Sequence, residues 1–393
     1  MKFNTLKESI TKLFDPITFS KAVDYVHADP DGYNTVLINP IISASNENDK
    51  SIADKITNTG ANTGNLLFSQ GIRNQLSYQK EIWLFGNDVA SVEKPACIMP
   101  SANFIIHGDD TFIKICRKFL DDTTCPVTLA GLGAQSTPEL NTPKKLVDVL
   151  SETKKIYFKE LSERAVTLGI RGEFTAECLE LMGIHNYRII GCPSAYFSLD
   201  GKGPKMPKPS LKRCQITVTT GSKYESQILK AGKDLNAVWM MQMMTEMPEC
   251  AFEGKRVSPV WVDRRFPELQ LSVNEFTQYM RGNAKIFFSL DDWNQFYKES
   301  KLTFAFGSRF HGNMAAFRNG IPALWIIHDS RTTELVRTLH LPYITQDCFG
   351  NIKYYEELLS YCDYTEFNKN YKKMLKNYIQ FLEENHISHR FVV

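Results

Sequence analysis

Ser308, Arg309 and His311 stand together in the run S-R-F-H-G, with Phe310 and Gly312 completing it. A guanidinium offers planar, paired donors to a phosphate or carboxylate, and an imidazole titrates near neutrality. Anion binding coupled to proton transfer is the chemistry such a run could perform. His311 also has a plainer reading, as a core histidine with a satisfied partner. Arg309 two residues away, at a helix entry, favours the functional one.

The flanking residues define that helix entry. Leu302–Phe306 is a short apolar run suited to a buried parallel strand, and Gly307-Ser308 breaks it. Helical spacing follows over Asn313–Arg318, with Met314 and Phe317 on one face. Gly320 and Pro322 close the helix, and Ala323–Ile327 reads as the next buried strand. The reactive side chains therefore fall where a strand ends and a helix begins. Free N–H groups and the helix dipole favour an anion there, at the end where open α/β sheets bind ligands.

Upstream the same pattern recurs. Thr35–Asn39 reads as a strand and Ser43–Lys55 as a surface loop. Asn58–Arg73 carries Gly60 and Gly64 among Asn62, Thr63 and Asn65 before Leu66, Leu67 and Ile72 begin a helix. That stretch suits an anion or sugar site, or a simple capped turn. Phe104–Ile106 reads as a strand running into His107-Gly108-Asp109-Asp110 and a helix over Thr111–Leu120. Val127–Ala130 enters Gly131-Leu132-Gly133-Ala134-Gln135-Ser136, half of a dinucleotide fingerprint; the third glycine is missing, which excludes NAD. Val166–Ile170 ends in Arg171, which could serve a site or pair on the surface with Glu173 or Glu177. Tyr187–Ile190 then enters Gly191-Cys192-Pro193-Ser194. Strand, polar turn, helix, repeated, is the signature of a parallel α/β sheet.

Asp200–Lys212 is rich in Pro, Gly and Lys with no apolar period, and marks a linker. The chain divides into a domain over 1–200, a linker over 201–212, a domain over 213–350 and a helical segment over 351–393. Within the second domain, Gln215–Thr219, Ala237–Gln242, Arg256–Val262 and Lys285–Phe288 are strand candidates. Phe367, Tyr371, Met374, Leu375, Tyr378 and Leu382 predict one long helix within Tyr361–Glu384.

Composition excludes several classes. The 393 residues are 43% hydrophobic and 23% charged, ordinary for a soluble globular protein. A net charge of +2 gives no electrostatic case for nucleic acid. The nine cysteines include no C-x-x-C pair, which argues against a zinc ribbon or a secreted disulfide framework. No metal-ligand spacing occurs in the motif stretches, and Asp109-Asp110 and Asp291-Asp292 read as caps or turns. No apolar run reaches membrane-spanning length. Leu6, Ile10, Leu13 and Phe14 form a helical stripe that would pack on the protein or lie on a membrane.

G-x-G at 131–133, I-R-G-E-x-T at 170–175 with L-x-x-x-G-I at 179–184, G-C-P-S at 191–194, and S-R-F-H-G-N-M-A-A-F-x-x-G-I-P at 308–322 occur in one order. Together they resemble the polysaccharide pyruvyl transferase family, best over Asn58–Leu341. The resemblance implies an α/β fold of two Rossmann-like domains facing a cleft, like that of GT-B glycosyltransferases. It also implies transfer of pyruvate from phosphoenolpyruvate to a sugar of a cell-surface glycan precursor, as a cyclic ketal with release of phosphate. Such precursors serve exopolysaccharide, capsule or cell-wall synthesis.

Arg171, Arg309 and His311 match the family's motif positions and take the catalytic roles by resemblance. Donor contacts fall to Arg171, Ser308, Arg309, Phe310, His311, Gly312 and Arg331. Asn62, Gly64, Asn65, His107, Gly133 and Gln135 are acceptor or cleft candidates. Asn65 stands where many members carry Asp, and Arg331 where many carry Lys. No metal or organic cofactor is expected. The expected partners are phosphoenolpyruvate and a nucleotide- or lipid-linked sugar, with no nucleic acid. The expected location is cytoplasmic; a lipid-linked acceptor would bring the protein to the inner face of the membrane. Two rival classes use the same features: a GT-B-type glycosyltransferase with a nucleotide-sugar donor, and a catalytically silent sugar-binding protein.

Overall fold

Asn34–Asn39 (β1) is buried at every position but its first, as a strand covered on both faces must be. The structure, a computed structural model, describes residues 26–40, 50–84, 89–243 and 246–392. The Leu6, Ile10, Leu13 and Phe14 stripe lies outside the described residues, as does most of the Ser43–Lys55 stretch. The end of that stretch enters a helix, Ile52–Asn58 (α1), whose cap Ser51 accepts a hydrogen bond from the Asp54 N–H.

β1 belongs to a six-stranded sheet with Lys80–Trp83 (β2), Pro95–Pro100 (β3), Val127–Leu132 (β4), Leu168–Ile170 (β5) and Tyr187–Ile189 (β6). The order is β2-β1-β3-β4-β5-β6 and every pairing is parallel. A second six-stranded sheet holds Cys214–Thr217 (β7), Val238–Met240 (β8), Ala284–Lys285 (β9), Phe304–Gly307 (β10), Ala323–Ile327 (β11) and Tyr343–Thr345 (β12). It runs β12-β11-β10-β7-β8-β9, again all parallel. Read from β9, this is the Rossmann strand order, and it reverses between β7 and β10. The first sheet reverses between β1 and β3. A doubly wound sheet binds ligands at such a reversal, beyond the carboxyl ends of its strands.

The helices that matter for function begin at those ends. They are Asn65–Ser69 (α2), Thr111–Asp121 (α3), Glu173–Leu181 (α4), Phe310–Arg318 (α5) and Ser330–Thr338 (α6). Thr365–Glu384 (α7) ties the two halves together. Phe367, Tyr371, Leu375, Tyr378 and Leu382 recur at three or four positions, and all are buried. Near its start, Phe367 meets Phe317 of the second half edge-to-face at 5.0 Å. Near its end, Tyr378 stacks on Tyr196 at 4.5 Å and donates to Gln75 Oε1 at 2.8 Å. Arg188 of β6 holds Glu384 in a bidentate pair at 2.9 and 2.7 Å. Burying aromatic side chains of this size contributes about 1.5–3 kcal/mol each. α7 therefore braces the angle between the halves.

Several local expectations change. Phe104–Ile106 is not a strand; only Ile105 makes a bridge, to Ala134. Arg256–Val262 is not one either. Ser258 caps a helix over Pro259–Arg265, accepting from the Trp261 N–H at 3.2 Å, and Pro259 fits the first helical turn. Lys285–Phe288 contributes only its first residue, paired beside β8. Among the described residues no helix is long and apolar enough to cross a membrane.

Candidate active site

Gly307 ends β10 at a φ of +141°, and a Cβ there would lie 1.9 Å from the Thr217 carbonyl oxygen of β7. Only glycine lets β10 turn into α5 this close to its neighbour. Asn313, fully buried, then pins the turn: its Nδ2 donates to the Gly307 and Leu324 carbonyls, and its Oδ1 accepts from the Thr217 hydroxyl at 3.1 Å. Gly312 is equally constrained, since a Cβ would come within 2.6 Å of Thr217 and 2.8 Å of Gln242.

On this frame the expected donor residues separate. Arg309 caps α5, with Nε donating to the Val218 carbonyl at 3.3 Å and Nη1 resting on Met243 Sδ. Burial, with Arg331 nearby, brings its pKa down to about 10, so it stays cationic at neutral pH. Ser308 points elsewhere: its hydroxyl donates to Glu225 at 2.7 Å and accepts from the Thr219 N–H. Phe310 is buried, 5.9 Å from Trp325 between ring centroids. Both hold the turn in shape.

Beyond β11, Asp329 caps α6 by accepting from the Thr332 N–H at 2.7 Å. Its other oxygen lies 3.2 Å from Arg331 Nη2 and 3.5 Å from His328 Nε2. Burial would raise the Asp329 pKa, but Arg331 and His328 outweigh it and hold the carboxylate ionised. Arg331 Nε and His328 Nδ1 are buried without a hydrogen-bond partner among the described residues. Unpaired polar atoms of this kind call for a ligand or water.

The other half supplies the facing wall. Arg171 follows β5 and is only 2% exposed. It does not pair with Glu173 or Glu177. Nε donates to the Gly131 carbonyl at 2.8 Å, Nη2 to the Ser101 carbonyl at 3.3 Å, and Nη1 to Asn103 Oδ1. Gly133 is what lets it pass, because a Cβ there would lie 2.7 Å from Arg171 Cδ. Asn103 in turn donates to Gln135 at 3.0 Å. Arg171 thus stands one layer behind the cleft and orients Asn103 and Gln135.

Residues 60–65 close over the top. The Thr63 N–H donates to the Gln242 carbonyl at 2.8 Å, and Asn62 forms a bridge with Met243. Asn65 Nδ2 donates to the Thr59 carbonyl at 3.0 Å. A Cβ on Gly64 would come within 3.0 Å of the His311 Cβ. The stretch is both a capped turn and a cleft wall.

The cleft has a volume of about 460 Å³. Gly60, Ala61, Asn62, Asn65, Asn103 and Gln135 line one side, and Thr219, Thr220, Met243, Arg309, His328, Asp329 and Arg331 the other. Amides thus face cations, an arrangement that suits a polyol against an anion. His107 is outside it: exposed on the loop before α3, its Nδ1 lies 3.2 Å from the Val149 carbonyl. Sequence reasoning also missed Asn103, Glu225, His328 and Asp329, for which only the strand-end position was a signal. A second hollow, of about 260 Å³ between Lys223, Gln270 and Tyr355, contains none of the motif residues.

His311 lies against Gly64, outside the cleft lining itself. Its ring packs against Phe68 and Phe310, and Nε2 lies 3.5 Å from Cys192 Sγ. Burial, followed by the fields of Arg171, Arg331 and Arg318, holds its pKa well below the ordinary histidine range.

Among the described residues two groups of side chains could hold a cation by distance, His27/Glu383/His389 and Asp29/Asp31/His386. Neither lines the cleft. His389 Nδ1 accepts from the Phe391 N–H, which leaves its Nε2 as the N–H facing Glu383, so that trio is already satisfied by hydrogen bonds.

The blocks around Arg171, Cys192 and Arg309 meet in one site, and their order has a counterpart. Residues 146–330 match the polysaccharide pyruvyl transferase family. The resemblance read from the motifs is borne out, and pyruvyl transfer in polysaccharide synthesis is the activity class that the match supports. The matched segment carries Arg171, Cys192 and Ser308–Gly312. The amide wall precedes it, and Arg331 follows its end by one residue. A comparison with curated proteins found no match. Among solved structures, S. aureus MnaA with UDP is similar over 90% of both chains at 11% identity, with a TM-score of 0.37. T4 phage BGT in complex with UDP and Mn2+ is similar over 90% of this chain and 99% of that one, at 13% identity and a TM-score of 0.37.

Proposed function

We propose that the protein transfers pyruvate from phosphoenolpyruvate to two hydroxyls of a sugar, forming a cyclic ketal and releasing phosphate. The observation that carries this reading is the cleft itself. Arg309 and Arg331 form a cationic wall, and four amides, Asn62, Asn65, Asn103 and Gln135, face it.

Phosphoenolpyruvate carries a phosphate and a carboxylate on adjacent groups, and two guanidiniums from separate strand ends suit them. The amides would read sugar hydroxyls, which need both donors and acceptors. Ketal formation adds a proton to C3 of the donor, and C2 becomes electrophilic. One hydroxyl adds there, phosphate leaves, and the second hydroxyl closes the ring. Of the two hydroxyl protons lost, one balances the proton now in the methyl group and the other leaves with phosphate. His311 is the group we assign to deliver the C3 proton.

The test is incubation with phosphoenolpyruvate and a panel of nucleotide- and lipid-linked glycosides, read by mass spectrometry. A mass gain of pyruvate less water, with equimolar phosphate, supports the reading. Sugar transfer from a nucleotide sugar, with phosphoenolpyruvate inert, would overturn it.

A further inference from the structure

An imidazole that moves protons is usually oriented by a carboxylate, which also stabilises its charged form. Among the described residues His311 has no such partner; its ring hydrogen-bonds to the Cys192 thiol, Nε2 to Sγ at 3.5 Å. Cys192 follows β6 in the first half and His311 opens α5 in the second, so the contact crosses between the halves. Cys192 is fully buried and also lies 3.0 Å from the Ser194 hydroxyl.

The charged groups acting on the ring come from two other elements and from its own helix. Arg171 follows β5, Arg331 lies in α6, and Arg318 is in α5 itself. Phe68 of α2 and the Gly64 backbone cover the rest. Among the described residues no carboxylate makes an ion pair with the ring. The Cys192 contact can fix the orientation of the ring, but it brings no carboxylate to stabilise an imidazolium. Three cations oppose that charge. Burial and these cations therefore disfavour the imidazolium, the form of the ring that is acidic enough to protonate carbon.

We propose that Cys192 positions His311 so that the imidazole takes up a proton from solvent only when the anionic donor enters, and passes that proton to the donor's methylene carbon. This rests on the reading of phosphoenolpyruvate as donor. The donor's negative charges offset the field of these cations and stabilise the imidazolium directly. Proton uptake and donor binding are then one event, and an empty cleft cannot protonate a stray solute.

Calorimetry of phosphoenolpyruvate binding to the full chain at pH 7, in buffers of different ionisation enthalpy, reads the protons taken up. The wild type should take up about one, as one neutral imidazole becomes charged. Cys192→Ser, which keeps a neutral hydrogen-bonding partner, should do the same. Cys192→Asp should take up less than half as much, because its carboxylate holds the imidazolium beforehand. In the free protein, the NMR titration midpoint of His311 should rise in Cys192→Asp by about 1 pH unit or more and stay low in Cys192→Ser. Donor binding with no proton uptake in the wild type, or equal uptake and midpoints in all three proteins, overturns the proposal and leaves the donor reading standing. Failure of phosphoenolpyruvate to bind the wild type would instead sink the donor reading and this inference with it.

Discussion

Glu334 of α6 accepts hydrogen bonds from the backbone N–H and the hydroxyl of Thr175, at 3.1 and 2.9 Å, and so joins the two halves of the molecule at the start of α4. Gly172 makes the approach possible, since a Cβ there would lie 2.8 Å from the Glu334 Cβ. Burial raises the Glu334 pKa to about 7 despite these bonds and the nearby Arg171.

That carboxyl should make stability fall as pH rises. Its folded pKa lies above its unfolded one, so between the two the folded chain binds the extra proton. Stability is gained below the unfolded pKa and lost as pH rises through about 7. Glu334→Gln keeps the shape and the acceptor without the charge. It should be more stable than the wild type at pH 8 by about 1–3 kcal/mol, with the gap closing toward pH 5. Denaturant melts of both proteins across this range check it. Parallel pH curves for the two would show that Glu334 does not titrate in the folded state.

Gly307→Ala should be among the most damaging single changes at the site. The positive φ and the 1.9 Å approach to the Thr217 carbonyl leave no soft neighbour to move. A loss of about 2–4 kcal/mol is expected, from strain at a special backbone position. Gly32→Ala, also at positive φ but with nothing within 4 Å, should cost less. Equal melting temperatures for the two variants would contradict the crowding argument.

The two motif arginines should behave differently. Arg309 lines the cleft, so Arg309→Ala should weaken phosphoenolpyruvate binding by about 2–4 kcal/mol, and Arg309→Lys should recover only part. Arg171 stands behind Asn103, so Arg171→Ala should act through misplaced Asn103 and Gln135. It should also lower stability, as the Gly131 and Ser101 carbonyls lose a buried donor. Asn103→Ala should reproduce part of the binding loss without the stability loss. Calorimetry and melting curves on the four variants separate the cases; an Arg309→Ala protein with unchanged donor affinity would remove Arg309 from the site.

Much of this was legible along the chain, for reasons that can be named. Ala323–Ile327 announced itself because a strand covered on both faces must be apolar throughout. Arg309 and His311 were placed at a ligand-binding end because a glycine break and helical spacing follow one another within a few residues. β2 was hidden because K-E-I-W reads as polar, and β3 because proline stands at both its ends. The roles of Cys192, Asn103 and Glu334 depend on partners 119, 68 and 159 positions away, which no local pattern encodes. Arg171 was identified by its block, but its depth was not, because burial depends on how the loops of neighbouring strands fold over it. His107 was read at a strand-to-helix junction, yet residues 104–106 form no strand and the His107 side chain is exposed on the loop before α3.

Turnover should not require a divalent cation. The proposed chemistry stabilises charge with Arg309 and Arg331 and moves protons through His311. Activity with phosphoenolpyruvate should survive EDTA with less than about a twofold change. Removing a metal that acted as Lewis acid would cost several kcal/mol. Complete loss with EDTA and recovery with magnesium or manganese would favour a nucleotide-sugar reaction in the same cleft.

The most direct measurement is the reaction with phosphoenolpyruvate and a glycoside acceptor run in D₂O, with wild type and His311→Gln side by side. The wild-type product should be a pyruvate ketal with one deuterium in its methyl group, formed with an equal amount of phosphate. His311→Gln should bind the donor nearly as well but turn over about 10² to 10⁴ times more slowly, since an amide cannot supply the proton. Phosphate release with no ketal, a methyl group without deuterium, or His311→Gln at the wild-type rate would contradict the account.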